Sequence, residues 1–122
     1  MNKLVNLKKE FLNWRFEEAK AGELFSCYFE GVMTVWAVSG ENKKFKTVLI
    51  KALLDKDFGK NKKIIFDCQK ITEIDSAGLA MLLSGLRQSN KLGYEAKLAH
   101  VPQKALDLIE AQGVMELIKP FI

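Results

Sequence analysis

Residues 63–80 read Lys63-Ile64-Ile65-Phe66-Asp67-Cys68-Gln69-Lys70-Ile71-Thr72-Glu73-Ile74-Asp75-Ser76-Ala77-Gly78-Leu79-Ala80. Residues 63–68 form a short apolar run between charged and polar neighbours, the pattern of a buried strand. From Ala77 onward, Leu79, Leu82, Leu83 and Leu86 make an apolar stripe at helical spacing. Gly93 supplies a stop, so the spacing predicts a helix over 77–92. A strand, a loop and a helix start presenting Asp75 and Ser76 make up an α/β crossover. A helix start leaves backbone N–H groups without partners, and either Asp75 or Ser76 can accept from them as the N-cap.

Downstream, residues 95–101 read as another strand. Pro102 opens a helix over 103–112, Gly113 ends it, and the apolar tail 114–122 is suited to pack back on the domain. Upstream, residues 24–29 and 32–38 are β-rich runs parted by Glu30-Gly31, which reads as a hairpin. In the second run Val32, Thr34, Trp36 and Val38 share one face, and Met33, Val35 and Ala37 the other. Apolar residues on both faces predict a central strand ending at Ser39-Gly40. Phe45, Val48, Leu49, Ala52 and Leu53 then predict a helix over 43–54, followed by a polar loop over 55–61. At the N-terminal end, Leu4, Leu7, Phe11 and Trp14 recur at helical intervals and predict an amphipathic helix over 3–20. Alternating strands and helices give an α/β fold with a mixed β-sheet and helices mainly on one face. The expected organisation is a helical extension over 1–22 and one domain over 23–122.

The 122 residues suffice for one continuous core, and 48% hydrophobic with 28% charged residues is ordinary globular composition. No apolar run approaches the twenty or so residues of a membrane span, and Met1-Asn2-Lys3-Leu4 does not begin a signal peptide. A cytoplasmic location is the expectation. Cys27 and Cys68 lie in strand-like runs without metal spacing, which reads as two reduced, buried thiols. The net charge of +4 is carried almost wholly by lysine, with Arg15 and Arg87 the only arginines. Base-edge readout favours arginine, so no nucleic-acid partner is expected. Lys43, Lys44, Lys46, Lys60, Lys62 and Lys63 compose a lysine-rich surface open to an acidic partner or membrane headgroups.

Little supports catalysis. His100 is the single histidine and lies far in sequence from Ser76, and Cys68 has no histidine neighbour to activate it. Neither a phosphate-binding G-x-x-x-x-G-K-[ST] loop nor G-x-G-x-x-G occurs. Asp67, Glu73 and Asp75 could hold a cation, but solvated carboxylates are the commoner reading; no metal and no cofactor are expected. On local chemistry alone the junction reads first as a helix cap, and a partner contact is its functional alternative. A helix N-terminus tolerates a phosphate on Ser76. The small residues Ala77 and Gly78 would let a partner approach the first turn. Ala80, Met81, Ser84 and Arg87 fall off the leucine stripe, and with Asp75 they complete an expected docking face.

Three stretches carry a resemblance: Val38-Ser39-Gly40-Glu41, Ile64-Ile65-Phe66-Asp67 and Ile74-Asp75-Ser76-Ala77-Gly78-Leu79. In motif, order and separation the chain resembles the STAS family, shared by anti-sigma-factor antagonists and sulfate transporters, over residues 24–120. The resemblance implies a non-catalytic module that binds a partner NTPase. The continuation Ala77-Gly78-Leu79-Ala80-Met81-Leu82-Leu83 is closer to the MlaB-like accessory subunits. It implies that Ser76 contacts the ATPase of a phospholipid ABC transporter, and that the protein can reach the inner face of the membrane through that complex. The alternative it implies is an anti-sigma-factor antagonist released when an anti-sigma-factor kinase phosphorylates Ser76. The N-terminal segment and Lys43-Lys44 depart from both patterns.

Overall fold

The computed structural model describes residues 11–18, 24–55 and 62–122. Its sheet runs in the order β1 (Leu12–Glu18), β2 (Leu24–Met33), β3 (Lys63–Ile74), β4 (Glu95–Ala99). β1 pairs antiparallel with β2, whereas β2, β3 and β4 are mutually parallel. Helix α1 (Val35–Asp55) joins β2 to β3, and α2 (Ser76–Lys91) joins β3 to β4. Helix α3 (Gln103–Ala111), the single turn α4 (Met115–Ile118) and a 3-10 turn (Lys119–Phe121) close the chain. Parallel neighbours need long crossovers, and α1 and α2 supply them.

Along the strands alternate side chains point inward. Phe25, Cys27 and Phe29 of β2, Ile64, Phe66 and Cys68 of β3, and Ala96 and Leu98 of β4 are buried. Phe45, Leu49 and Leu53 of α1 and Leu79, Leu82 and Leu86 of α2 meet them. The Phe45 ring packs on Phe29 at 5.4 Å, on Phe66 at 6.1 Å and on Trp14 at 5.2 Å. Each such buried side chain contributes about 1.5–3 kcal/mol. The tail packs back as expected, burying Ile118 and Phe121.

Three expectations are corrected. First, residues 12–18 form a strand and not part of a helix. Leu12, Trp14 and Phe16 alternate inward with Asn13, Arg15 and Glu17 outward. The inward rings pack on Phe45 and Phe25, so a period of two wins over the helical spacing. The rest of the expected helix, residues 3–10 and 19–20, lies outside the described residues, as do residues 56–61 with Lys60.

Second, Glu30-Gly31 is a bulge within one continuous strand and not a hairpin turn. Gly31 has φ +99, and a Cβ there would lie 2.3 Å from the Phe11 carbonyl oxygen. The register with β3 shifts on both sides of it. Third, residues 35–38 are helical. Val38, Phe45, Leu49 and Leu53 make one buried stripe, so α1 runs through Ser39-Gly40 where a strand end was expected. The antiparallel pair expected of the upstream half is present, but it joins β1 to β2.

Candidate functional site

Strand β3 extends to Ile74 and delivers Asp75 in extended conformation at the start of α2. Asp75 Oδ1 accepts from the N–H of Ala77 at 2.9 Å and of Gly78 at 3.2 Å. Its second oxygen, Oδ2, accepts from the N–H of Val35, the first residue of α1, at 2.9 Å. The Asp75 N–H donates to the Met33 carbonyl at 3.2 Å. Between the two candidate caps, Asp75 is the one used, and it serves two helices. An N-cap contributes about 1 kcal/mol; here one carboxylate also ties together two segments 40 residues apart.

Gly78 is buried against β2, where an added Cβ would stand 2.0 Å from the Met33 carbonyl oxygen. Its smallness admits the sheet and not a partner, which corrects the expectation of a close outside approach. Gly85, one stripe further, would set a Cβ 2.7 Å from the Phe66 ring. The buried sector of α2 is centred on these glycines and takes in Met81, which is 1% exposed. Met81 is therefore removed from the docking face. A leucine stripe alone misplaces the sector, because glycines that pack inward carry no apolar signal.

The remaining residues do share a surface. Ser76, Ala80 and Arg87 are exposed and Ser84 is half-buried, all on the outer side of α2. The Ser76 hydroxyl accepts from the Gln112 side-chain amide at the end of α3. Beside it a cleft of about 130 Å³ is lined by Ser76, Leu79, Ala80, Leu83, Gln112, Val114 and Ile118, mostly apolar. At the neighbouring start of α1, Val35 and Trp36 are exposed. Gln112, Val114, Val35 and Trp36 were not among the sequence-based candidates. Only the fold brings the end of α3 and the start of α1 to Ser76.

Other reactive groups are engaged elsewhere. Burial pushes the Cys68 thiol up to about 12, helped by the Asp67 carboxylate, and pushes Cys27 up as well. Both thiols stay protonated at neutral pH, which suits core packing and not nucleophilic attack. Asp67 points to the sheet face opposite α1 and α2. Its Oδ1 accepts from Gln69 N–H at 3.0 Å and its Oδ2 lies 3.0 Å from His100 Nδ1. Asp67 and Asp75 thus serve different ends, and no group of three metal-ligating side chains occurs among the described residues.

The fold is a mixed α/β domain that sets an exposed helix-start serine beside an apolar cleft. The model of the STAS domain matches residues 28–122, and the chain belongs to that family. No curated protein matches the chain by sequence. Among solved structures, the fold is similar to the STAS domain of an antisigma-factor antagonist from Rhodobacter sphaeroides. That match has TM-score 0.53 and 15% identity, over 77% of this chain and 90% of the other. The Bacillus cell-fate determinant SpoIIAA in its phosphorylated form is similar at TM-score 0.53 and 17% identity, over 89% and 87%. The murine Solute Carrier 26 family member A9, an anion transporter, matches at TM-score 0.65 and 15% identity. There 94% of this chain covers 20% of the other. At these identities the likeness is one of fold.

Proposed function

We propose that this chain is a non-catalytic, cytoplasmic STAS protein that binds and regulates a partner NTPase through the surface around Ser76. The partner it fits first is the ATPase of an MlaB-type phospholipid ABC transporter. The observation that carries this reading is Ser76 itself, exposed over the apolar cleft of Leu79, Ala80, Leu83 and Val114. Ala80, Ser84 and Arg87 extend the contact along α2.

The local chemistry favours a standing contact over a phosphate site. The N–H groups of Ala77 and Gly78 that would greet an anion already bind Asp75. A phosphate on Ser76 would add about −1.5 to −2 charges beside that carboxylate, so it would repel rather than find donors. A second reading, an anti-sigma-factor antagonist switched at Ser76, has support from SpoIIAA, a relative in fold recorded in phosphorylated form.

Affinity purification from the native host, followed by titration of the recovered NTPase, tests both. Ser76→Asp lowers affinity at least tenfold, because a charge in a close apolar contact is costly to desolvate. Unchanged affinity removes Ser76 from the contact. Ser76→Ala binds as the wild type in both readings, but mass spectrometry of the wild type after incubation with the recovered NTPase and ATP finds phosphoserine at position 76 only in the second. Recovery of a lipid-transport ATPase supports the first reading, and of a histidine-kinase-like anti-sigma factor the second. Recovery of neither kind of NTPase contradicts both.

A further inference from the structure

Cations are in excess on the two long helices. Helix α1 carries Lys43, Lys44, Lys46 and Lys51, all exposed, and α2 beside it carries Arg87 and Lys91 and no acidic residue. Glu41 of α1 is half-buried and turned toward β1, where it accepts from Trp14 Nε1 at 3.4 Å. Among the described residues none of the four α1 lysines enters an ion pair. Of the other acids, Asp55 ends α1, Glu17, Glu30 and Glu73 are on strands and Asp107, Glu110 and Glu116 on α3 and α4, where Lys63, Lys70, Lys97 and Lys104 stand among them.

The same outer face of α1 holds the two most exposed large apolar side chains of the described residues. Trp36 is 78% exposed and Leu54 is 65% exposed. They are five full helical turns apart, about 27 Å at 1.5 Å per residue, and so point the same way. Between them the row Gly40, Lys43, Thr47, Lys51 follows the four-and-three spacing of one helix face. A Cβ at Gly40 would meet nothing within 4 Å, so the face is low there and a flat surface can approach.

We propose that this outer face of α1 docks on an anionic lipid surface, with Lys43, Lys44 and Lys51 against phosphate headgroups and Trp36 and Leu54 set into the interface. Three features favour lipid over a protein or nucleic-acid polyanion. The cations of α1 are lysines, flexible point charges suited to a diffuse layer of phosphates, with no arginine fork for bidentate recognition. An indole prefers the membrane–water boundary, so Trp36 supplies an interfacial anchor on the basic face of a helix whose apolar stripe stays in the core. The cationic row is bracketed by apolar residues at both ends, which serves a plane. None of these side chains lines the Ser76 cleft itself; Trp36 stands next to it at the start of α1, whereas Lys43 and Lys51, the lysines substituted in the test, lie about two and four turns further along the helix.

The test is sedimentation of the full chain with vesicles of phosphatidylcholine containing phosphatidylglycerol, against vesicles of phosphatidylcholine alone. The chain binds only the anionic vesicles, and raised salt releases it. Each lysine near an anionic leaflet adds about fivefold to partitioning. Lys43→Glu/Lys51→Glu therefore binds at least about 20-fold more weakly, with its unfolding midpoint unchanged at these exposed sites. In a Trp14→Phe background the remaining Trp36 fluorescence shifts to the blue on binding, and Trp36→Ala weakens binding. Sedimentation equal on both vesicle types, absence of binding to the anionic ones, or wild-type binding by the double variant would overturn the proposal. Binding to duplex DNA as tight as to the anionic vesicles would overturn it too, by making the face a general polyanion site.

Discussion

The two long helices begin within hydrogen-bonding reach of the same carboxylate, yet they begin in opposite ways. Helix α2 opens with its own cap, Asp75, and with Ser76, Ala77 and Gly78, small residues that fit its first turn against Met33. Helix α1 opens with Val35 and Trp36, both exposed and neither able to cap, and takes its cap from Asp75. The first start is written locally. The second is written in the partner helix, and its exposed residues are left free for contacts outside the domain. The start of α2 is thus built into the sheet, whereas the outward side of α1 rests on nothing within the domain.

The most severe way to break this arrangement is Gly78→Ala. A Cβ placed 2.0 Å from a backbone oxygen cannot be relieved by a side-chain rotation, so α2 must lift from β2. The expected loss is about 3 kcal/mol of unfolding free energy in a denaturant titration. Asp75→Ala comes next, at about 2 kcal/mol, because N–H groups at both helix starts lose their acceptor. Asp75→Asn sharpens the point. Its amide offers only one oxygen, so it caps one helix and not the other, and it costs about half as much. The smallest effect has the opposite sign. Gly40 lies inside α1 with open space at its Cβ position, and Gly40→Ala should stabilise by about 0.5–1 kcal/mol. A destabilisation there would mean that α1 is not helical through Ser39-Gly40.

The contrast also explains what could be read from the amino-acid order. Residues 63–68 of β3, the Asp75-Ser76 junction, the helix after it and its stop at Gly93 were legible because their signals are local: an apolar run, a cap, a leucine period, a glycine. The continuation of β3 through the mostly polar residues 69–74, where a loop was expected, was not. The start of α1 was not, since Val32 to Val38 is rich in β-formers and its cap arrives from 40 residues away. β1 was hidden because Trp14 fits both a helical and a strand period, and only its packing on Phe45 decides between them. Of the expected contact residues, Ser76, Ala80 and Arg87 stand on the surface. Gly78 and Met81 do not, for glycines on the inner stripe turned the helix further than a count of leucines shows.

The shared cap is the centre of this account, and amide hydrogen exchange reads it directly. Exchange rates of the Val35, Ala77 and Gly78 amides would be measured in the wild type and in Asp75→Ala under conditions where both are folded. The account predicts faster exchange at all three positions in the variant, with Val35 released together with the α2 amides although it lies 40 residues upstream. Exchange at Val35 unchanged from the wild type would contradict it.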